Sequence, residues 1–110
     1  MLQIILNLLG VSKVDDRLSE YLSGGALLVD VREEYEFKMG SAKGAVNIPL
    51  SKLSSNIDFF KNRDKVVLFC RSGNRSGQAL SILQNLGIKN IINGGSLSDI
   101  TAVQNSLSKT

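Results

Sequence analysis

Lys65-Val66-Val67-Leu68-Phe69-Cys70, followed by Arg71-Ser72-Gly73-Asn74-Arg75 and then Ser76 to Leu86, is the stretch on which the fold turns. The first six residues form a nearly continuous apolar run rich in β-branched side chains. Such a run fits a strand buried on both faces, as in a parallel sheet. From Ser76 the period changes. Ala79, Ile82, Leu83 and Leu86 share one helical face, with Gln78, Ser81 and Asn85 on the other. Gly87 is placed to end that helix. A buried strand, a short loop and an amphipathic helix make the repeating unit of an α/β domain.

The same alternation extends in both directions. Upstream, Val14 to Ser23 reads as a short helix with Asp15 as its cap, ending at Gly24-Gly25. Leu27 to Val31 is a second buried strand, and Glu33 to Met39 a helical turn or two stopped by Gly40. Ala45 to Ile48 is a short strand closed by Pro49, and Leu50 to Phe60 reads as helical. Downstream, Asn90 to Asn93 is a strand, Gly94-Gly95 a turn, and Leu97 to Leu107 a last helix. Strands alternating with helices predict a mainly parallel sheet covered on both sides.

The chain has 110 residues, 43% of them hydrophobic and 21% charged, which is enough for one ordinary globular core. Residues 14–110 are expected to form the domain, and 1–13 an apolar helical extension. Leu2, Ile5, Leu6 and Leu9 fall on one face of that extension. It is too short to span a bilayer and has no basic leader, so neither a transmembrane segment nor a signal peptide is expected. Packing on this chain or on a second copy, or docking on a membrane surface or partner, would each use that face.

A net charge of +3 with scattered basic residues and six aromatics gives no nucleic-acid surface, but it suits a small anionic substrate. The chain contains no histidine, which removes Cys-His and Ser-His-Asp catalysis and most zinc sites. It has one cysteine, so it can form no internal disulfide and has no local resolving thiol. A reducing compartment, the cytoplasm, fits best.

Cys70 falls where the central strand ends and a helix is about to begin. In open α/β sheets ligands sit beyond the carboxyl ends of the strands. A loop entering a helix N-terminus converges unpaired N–H groups on one point and adds the positive end of the helix dipole. Gly73 allows the tight loop, and Arg71 and Arg75 add charge. That setting lowers a thiol pKa without a general base. It would equally hold the terminal sulfur of a persulfide or a departing sulfite. A lone strand cysteine can also be plain core filling, but two arginines and a glycine make a poor continuation of a core.

At these residues the sequence resembles a known family. C-R-S-G-N-R at Cys70 to Arg75 is similar to the C-R-x-G-x-R active-site loop of rhodanese-like domains. Asp30 to Pro49, D-V-R-E-E-Y-E-F-K-M-G-S-A-K-G-A-V-N-I-P, resembles that family's D-V-R-E-x-x-E-F-x-x-G-H-I-x-G-A-x-N-I-P. Asn93-Gly94-Gly95 resembles the N-G-G that closes the fold. The three blocks come in family order and cover Val14 to Ile100. The resemblance implies a three-layer α/β domain with a mostly parallel five-stranded sheet flanked by helices. It also implies Cys70 as the sulfur-accepting nucleophile, with the loop residues Arg71, Ser72, Gly73, Asn74 and Arg75 binding the anion. The partners implied are a small anionic sulfur donor and a thiol or cyanide acceptor, with a sulfur-relay protein as a further possibility. No metal or organic cofactor is implied. Asp30, Arg32 and Glu36 match the first block; at i, i+4, Arg32 and Glu36 are expected to belong to a structural ion-pair network. The chain departs from the family in two places: Ser41 replaces its usual histidine, and Ser98 and Asp99 occupy the neighbourhood where a tryptophan is usual.

Two other activities compete. Phosphatases and arsenate reductases on this scaffold carry C-x5-R, a loop one residue longer than the C-x4-R seen here. The tighter loop suits a smaller sulfur-centred group. A non-catalytic binding module, or a relay that takes sulfur from a protein partner, is the alternative of another class. Modules of that kind often lack the cysteine that this chain keeps.

Overall fold

In a computed structural model, the structure describes residues 14–109. The proposed apolar helix at 2–9 lies outside the described residues. Helix α1 (Leu18–Ser23) leads into β1 (Leu27–Asp30), α2 (Glu34–Lys38) and the two-residue strand β2 (Val46–Asn47). Two 3₁₀ turns (Leu50–Lys52, Ser54–Asn56) and a single α-turn, α3 (Ile57–Phe60), then lead to β3 (Val66–Cys70). The chain ends through α4 (Asn74–Asn85), β4 (Ile91–Ser96) and α5 (Leu97–Leu107). Among the described residues no helix is long and apolar enough to cross a membrane.

The sheet runs β2-β1-β3-β4, and every pair is parallel. Among the described residues four strands form, where five are expected. Past these four apolar runs, the remaining described segments carry helical spacing or turn residues, and no fifth run is left to pair.

β3 lies inside the sheet, and all five of its residues are buried. Alternation sorts them between two cores. Val66, Leu68 and Cys70 pack with Val29, Ala79 and Leu83 on the α4 side. Val67 and Phe69 pack with Leu18, Tyr21, Ile92 and Ile100 on the α1 and α5 side. Burying each large side chain contributes on the order of 1.5–3 kcal/mol, so this strand holds both layers together. The apolar run that looked uniform in sequence is therefore two alternating faces, each with its own helix layer.

The first helix begins at Leu18 rather than Val14, with Arg17 rather than Asp15 at its N-cap, and three further boundaries differ from the sequence reading for local reasons. Leu50 to Phe60 is not one helix. Ser55 Oγ and Asn56 Nδ2 bond the Lys52 carbonyl at 3.1 and 2.8 Å, and so take an acceptor that a continuing helix would need. β4 does not stop at Asn93 but runs through the glycines to Ser96. Its register slips there, with Leu68 opposite Asn93 and Cys70 opposite Ser96. The close passage requires glycine, since a Cβ on Gly94 would lie 2.7 Å from both Val67 Cγ1 and Ile100 Cδ1. α4 begins at Asn74 rather than Ser76, which leaves only residues 71–73 between strand and helix.

Candidate active site

The early start of α4 follows from how its first turn is satisfied. Its N-cap is Gly73, in the left-handed region at φ 94°, and no cap side chain bonds the turn. The Cys70 sulfur takes that place. Gly73 N–H donates to Sγ at 3.0 Å and Ser76 N–H at 3.4 Å, with the Ser76 hydroxyl also at 3.4 Å. A sulfur thus does what serine or aspartate does at an ordinary N-terminus. Cys70 has no exposed surface. Burial pushes its pKa up, but the hydrogen bonds from Ser76 and from the loop N–H groups outweigh that and leave it below the ordinary thiol value.

The loop arginines part company. Arg75 turns back over α2 and holds Glu36 with two prongs, at 2.6 and 3.1 Å. Glu36 also accepts the Glu33 N–H at 3.0 Å, closing the first turn of α2. The Arg75 hydrogen bond brings the Glu36 carboxyl down to about 2, against the opposing effect of burial. Arg71 is exposed and makes no ion pair among the described residues. It lines a cleft of about 920 Å³ with Tyr35, Met39, Ser41, Leu97 and Thr101. Ser72 and Asn74 are exposed.

Asp30 and Arg32 are both buried and bond each other rather than the loop. Arg32 Nε reaches Asp30 Oδ1 and Oδ2 at 2.9 and 3.0 Å, and Nη2 reaches Oδ2 at 2.7 Å. Nη2 also donates to the Gly40 carbonyl at 2.7 Å. The expected i, i+4 pairing of Arg32 with Glu36 is absent because Arg32 precedes α2 and turns back toward the end of β1. Ser41, at the position where histidine is usual, donates to Asp30 Oδ2 at 2.8 Å. Asp99, near the place of the missing tryptophan, accepts the Ser96 N–H at 2.9 Å and caps α5.

Sequence reasoning missed two residues. By sequence, Ser76 is only the start of a helix and Asn93 only part of a closing motif. Ser76 Oγ lies 2.7 Å from Asn93 Oδ1, and Asn93 Nδ2 donates to the Gly73 carbonyl at 3.0 Å. A polar residue on the buried face that carries Ala79 and Leu83 was the available signal for Ser76.

These residues build a parallel α/β domain with a hydrogen-bonded thiol between a central strand and a helix N-terminus. The family profile described as "Rhodanese-like domain" matches residues 14–99, and the chain belongs to that family. Over 80 residues it is 41% identical to a mitochondrial protein of Schizosaccharomyces pombe named as a candidate thiosulfate sulfurtransferase, covering 61% of this chain but only 56% of that one. It is 35% identical to the thiosulfate sulfurtransferase PspE of Escherichia coli, covering 66% of this chain and 71% of that one. A human single-domain sulfurtransferase superposes with a TM-score of 0.66 at 30% identity, covering 78% and 90% of the two chains.

Proposed function

We propose that this chain is a sulfurtransferase that carries a sulfane sulfur as a persulfide on Cys70. The observation that carries the reading is the convergence of the Gly73 N–H, the Ser76 N–H and the Ser76 hydroxyl on one sulfur at the mouth of a 12-residue helix. In the first step the Cys70 thiolate attacks the outer sulfur of thiosulfate. The sulfur–sulfur bond of the donor breaks, and its electron pair leaves with sulfite. Cys70 then bears S–S⁻, with total charge conserved. In the second step cyanide or a thiolate attacks the outer sulfur, giving thiocyanate or a new persulfide, and the Cys70 thiolate departs. Neither step moves a proton once the thiol is ionised, so no histidine is needed.

Arg71 attracts the anionic donor to the cleft on this reading, and the loop N–H groups steady the charge. Asp30, Arg32, Glu36 and Arg75 set the loop against β1 and α2. The reaction belongs in a reducing compartment, the cytoplasm, where a lone activated thiol survives. A protein persulfide donor is the second reading. Tyr35 and Met39, 68% and 85% exposed beside the cleft, favour it by offering an apolar contact to a larger partner.

The test is intact mass after mixing with thiosulfate, for the native protein and for Cys70→Ser. A gain of one sulfur atom that a reductant removes, and that the variant lacks, is the expected result. No gain from thiosulfate, with a gain from a protein persulfide, would replace the first reading by the second. No gain from either would overturn both.

A further inference from the structure

Ser76 has no exposed surface, yet its hydroxyl has two acceptors within reach. Asn93 Oδ1 lies 2.7 Å away and Cys70 Sγ 3.4 Å away. A serine hydroxyl carries one proton, so it can serve only one of them at a time. The Asn93 carboxamide cannot turn to relieve the competition. Its Nδ2 faces the Gly73 carbonyl at 3.0 Å, and its Oδ1 receives the Gly95 N–H at 2.9 Å. Reversing the amide would set N–H against N–H and oxygen against oxygen. Asn93 therefore presents Ser76 with a fixed acceptor.

We infer that the Ser76 hydroxyl is a two-position switch thrown by the charge on Cys70, with Asn93 as the positioning residue that supplies its resting place. When the sulfur is a neutral thiol, Ser76 donates to Asn93 and its oxygen accepts the S–H. When the sulfur is ionised, the hydroxyl turns and donates to Sγ, since bonds to charged acceptors are the stronger ones. Asn93 Oδ1 keeps the Gly95 N–H in either position, so no buried polar atom is stranded.

The kinetic consequence rests on the sulfurtransferase reading. In the persulfide the charge sits on the outer sulfur, and the inner sulfur is neutral. The hydroxyl then rests on Asn93 and returns to Sγ only when Cys70 leaves as a thiolate. Lowering a thiol's pKa weakens it as a nucleophile and improves it as a leaving group. Ser76 thus favours discharge of the sulfur over its loading. The charged groups on the elements around Cys70 are otherwise committed. Arg75 of α4 is bound to Glu36 of α2, Asp30 at the end of β1 to Arg32, and Asp99 of α5 to the Ser96 N–H. Arg71 follows Cys70 in the loop and is exposed.

The experiment is Ser76→Ala, in which the smaller side chain suits the helix, with the melting temperature recorded alongside. Thiolate absorbance is followed against pH, with the Cys70→Ser background subtracted to remove the two tyrosines. The ionisation midpoint of Cys70 should rise by about one pH unit, and Ser76→Thr, which keeps the hydroxyl, should restore it. Above both midpoints, loading from thiosulfate should quicken by about threefold while discharge to cyanide slows. An unmoved midpoint with a lower melting temperature would make Ser76 a purely structural hydroxyl and overturn the switch. Equal slowing of both half-reactions would overturn it too. A raised midpoint in a protein that takes sulfur from neither thiosulfate nor a protein persulfide would keep the switch and overturn the sulfurtransferase reading instead.

Discussion

Arg75 and Glu36, 39 residues apart in sequence, meet as a two-pronged ion pair that ties the first turn of α4 to the first turn of α2. The pair joins the two sequence blocks that flank the cleft. It also uses up a guanidinium that sequence reasoning had assigned to the substrate.

Acid should release that tie. The Glu36 carboxyl titrates at about 2 in the folded chain, below its ordinary 4.5. A depressed carboxyl contributes stability that is complete above its unfolded pKa and is lost as pH falls through its folded one. Glu36→Gln should therefore be less stable than the native protein at neutral pH, by about 1–2 kcal/mol for a partly buried pair. The difference should shrink between pH 4.5 and 2. Urea midpoints of both proteins across that range would measure it.

The two loop arginines should separate by kind of defect. Arg71→Ala should raise the KM for thiosulfate, leave the melting temperature unchanged and weaken the salt dependence of turnover. Arg75→Ala should lower the melting temperature and disturb the loop whichever donor is used. Steady-state kinetics at two ionic strengths, with a melt of each variant, would tell them apart. Equal effects on donor affinity would remove the distinction.

Removing Arg32 should be costly because of what it leaves behind. Asp30 has no exposed surface, and its carboxylate takes three contacts from the Arg32 side chain. Arg32→Ala strands that charge and should cost about 3–5 kcal/mol. In an Asp30→Asn background the same substitution should cost much less, since the stranded charge is gone. Chemical denaturation of the four proteins gives the coupling directly.

Gly73→Ala should harm stability and chemistry together. The left-handed backbone costs a side chain roughly 1–2 kcal/mol. The new Cβ would meet Gly95 Cα at 3.4 Å, an ordinary contact, so the cost comes from the backbone conformation. Any relaxation moves the Gly73 N–H away from Sγ. The expected result is a lower melting temperature together with slower persulfide formation; loss of stability with native sulfur loading would separate the glycine from the site.

β1 and β3 are legible because their buried runs are largely apolar on both faces, and Cys70 is legible because charge and glycine follow it at once. The pairing of side chains was not legible. Arg32 and Glu36 have helical spacing, but local spacing could not reveal that Arg32 precedes the helix or that Glu36 faces a residue 39 positions on. The start of α4 was misplaced because sequence rules look for serine, threonine, aspartate or asparagine at a cap. Here a sulfur from the preceding strand does the capping, and only the fold brings it there. Ser76 and Asn93 escape notice for the same reason: Ser76 meets Cys70 of β3 and Asn93 of β4, while Asn93 meets the loop at Gly73 and α4 at Ser76, and only the fold brings these elements together.

The complete burial of Cys70 also turns its reactivity into a clock. With no exposed surface on Cys70, a local opening has to precede contact between a donor and Sγ, so the observed rate combines the frequency of that opening with the intrinsic chemistry. When reclosing is faster than reaction, fast and slow donors keep their ranking. When reaction is faster, every donor converges on one rate, that of opening. Turnover then takes its temperature dependence from backbone breathing rather than from sulfur chemistry.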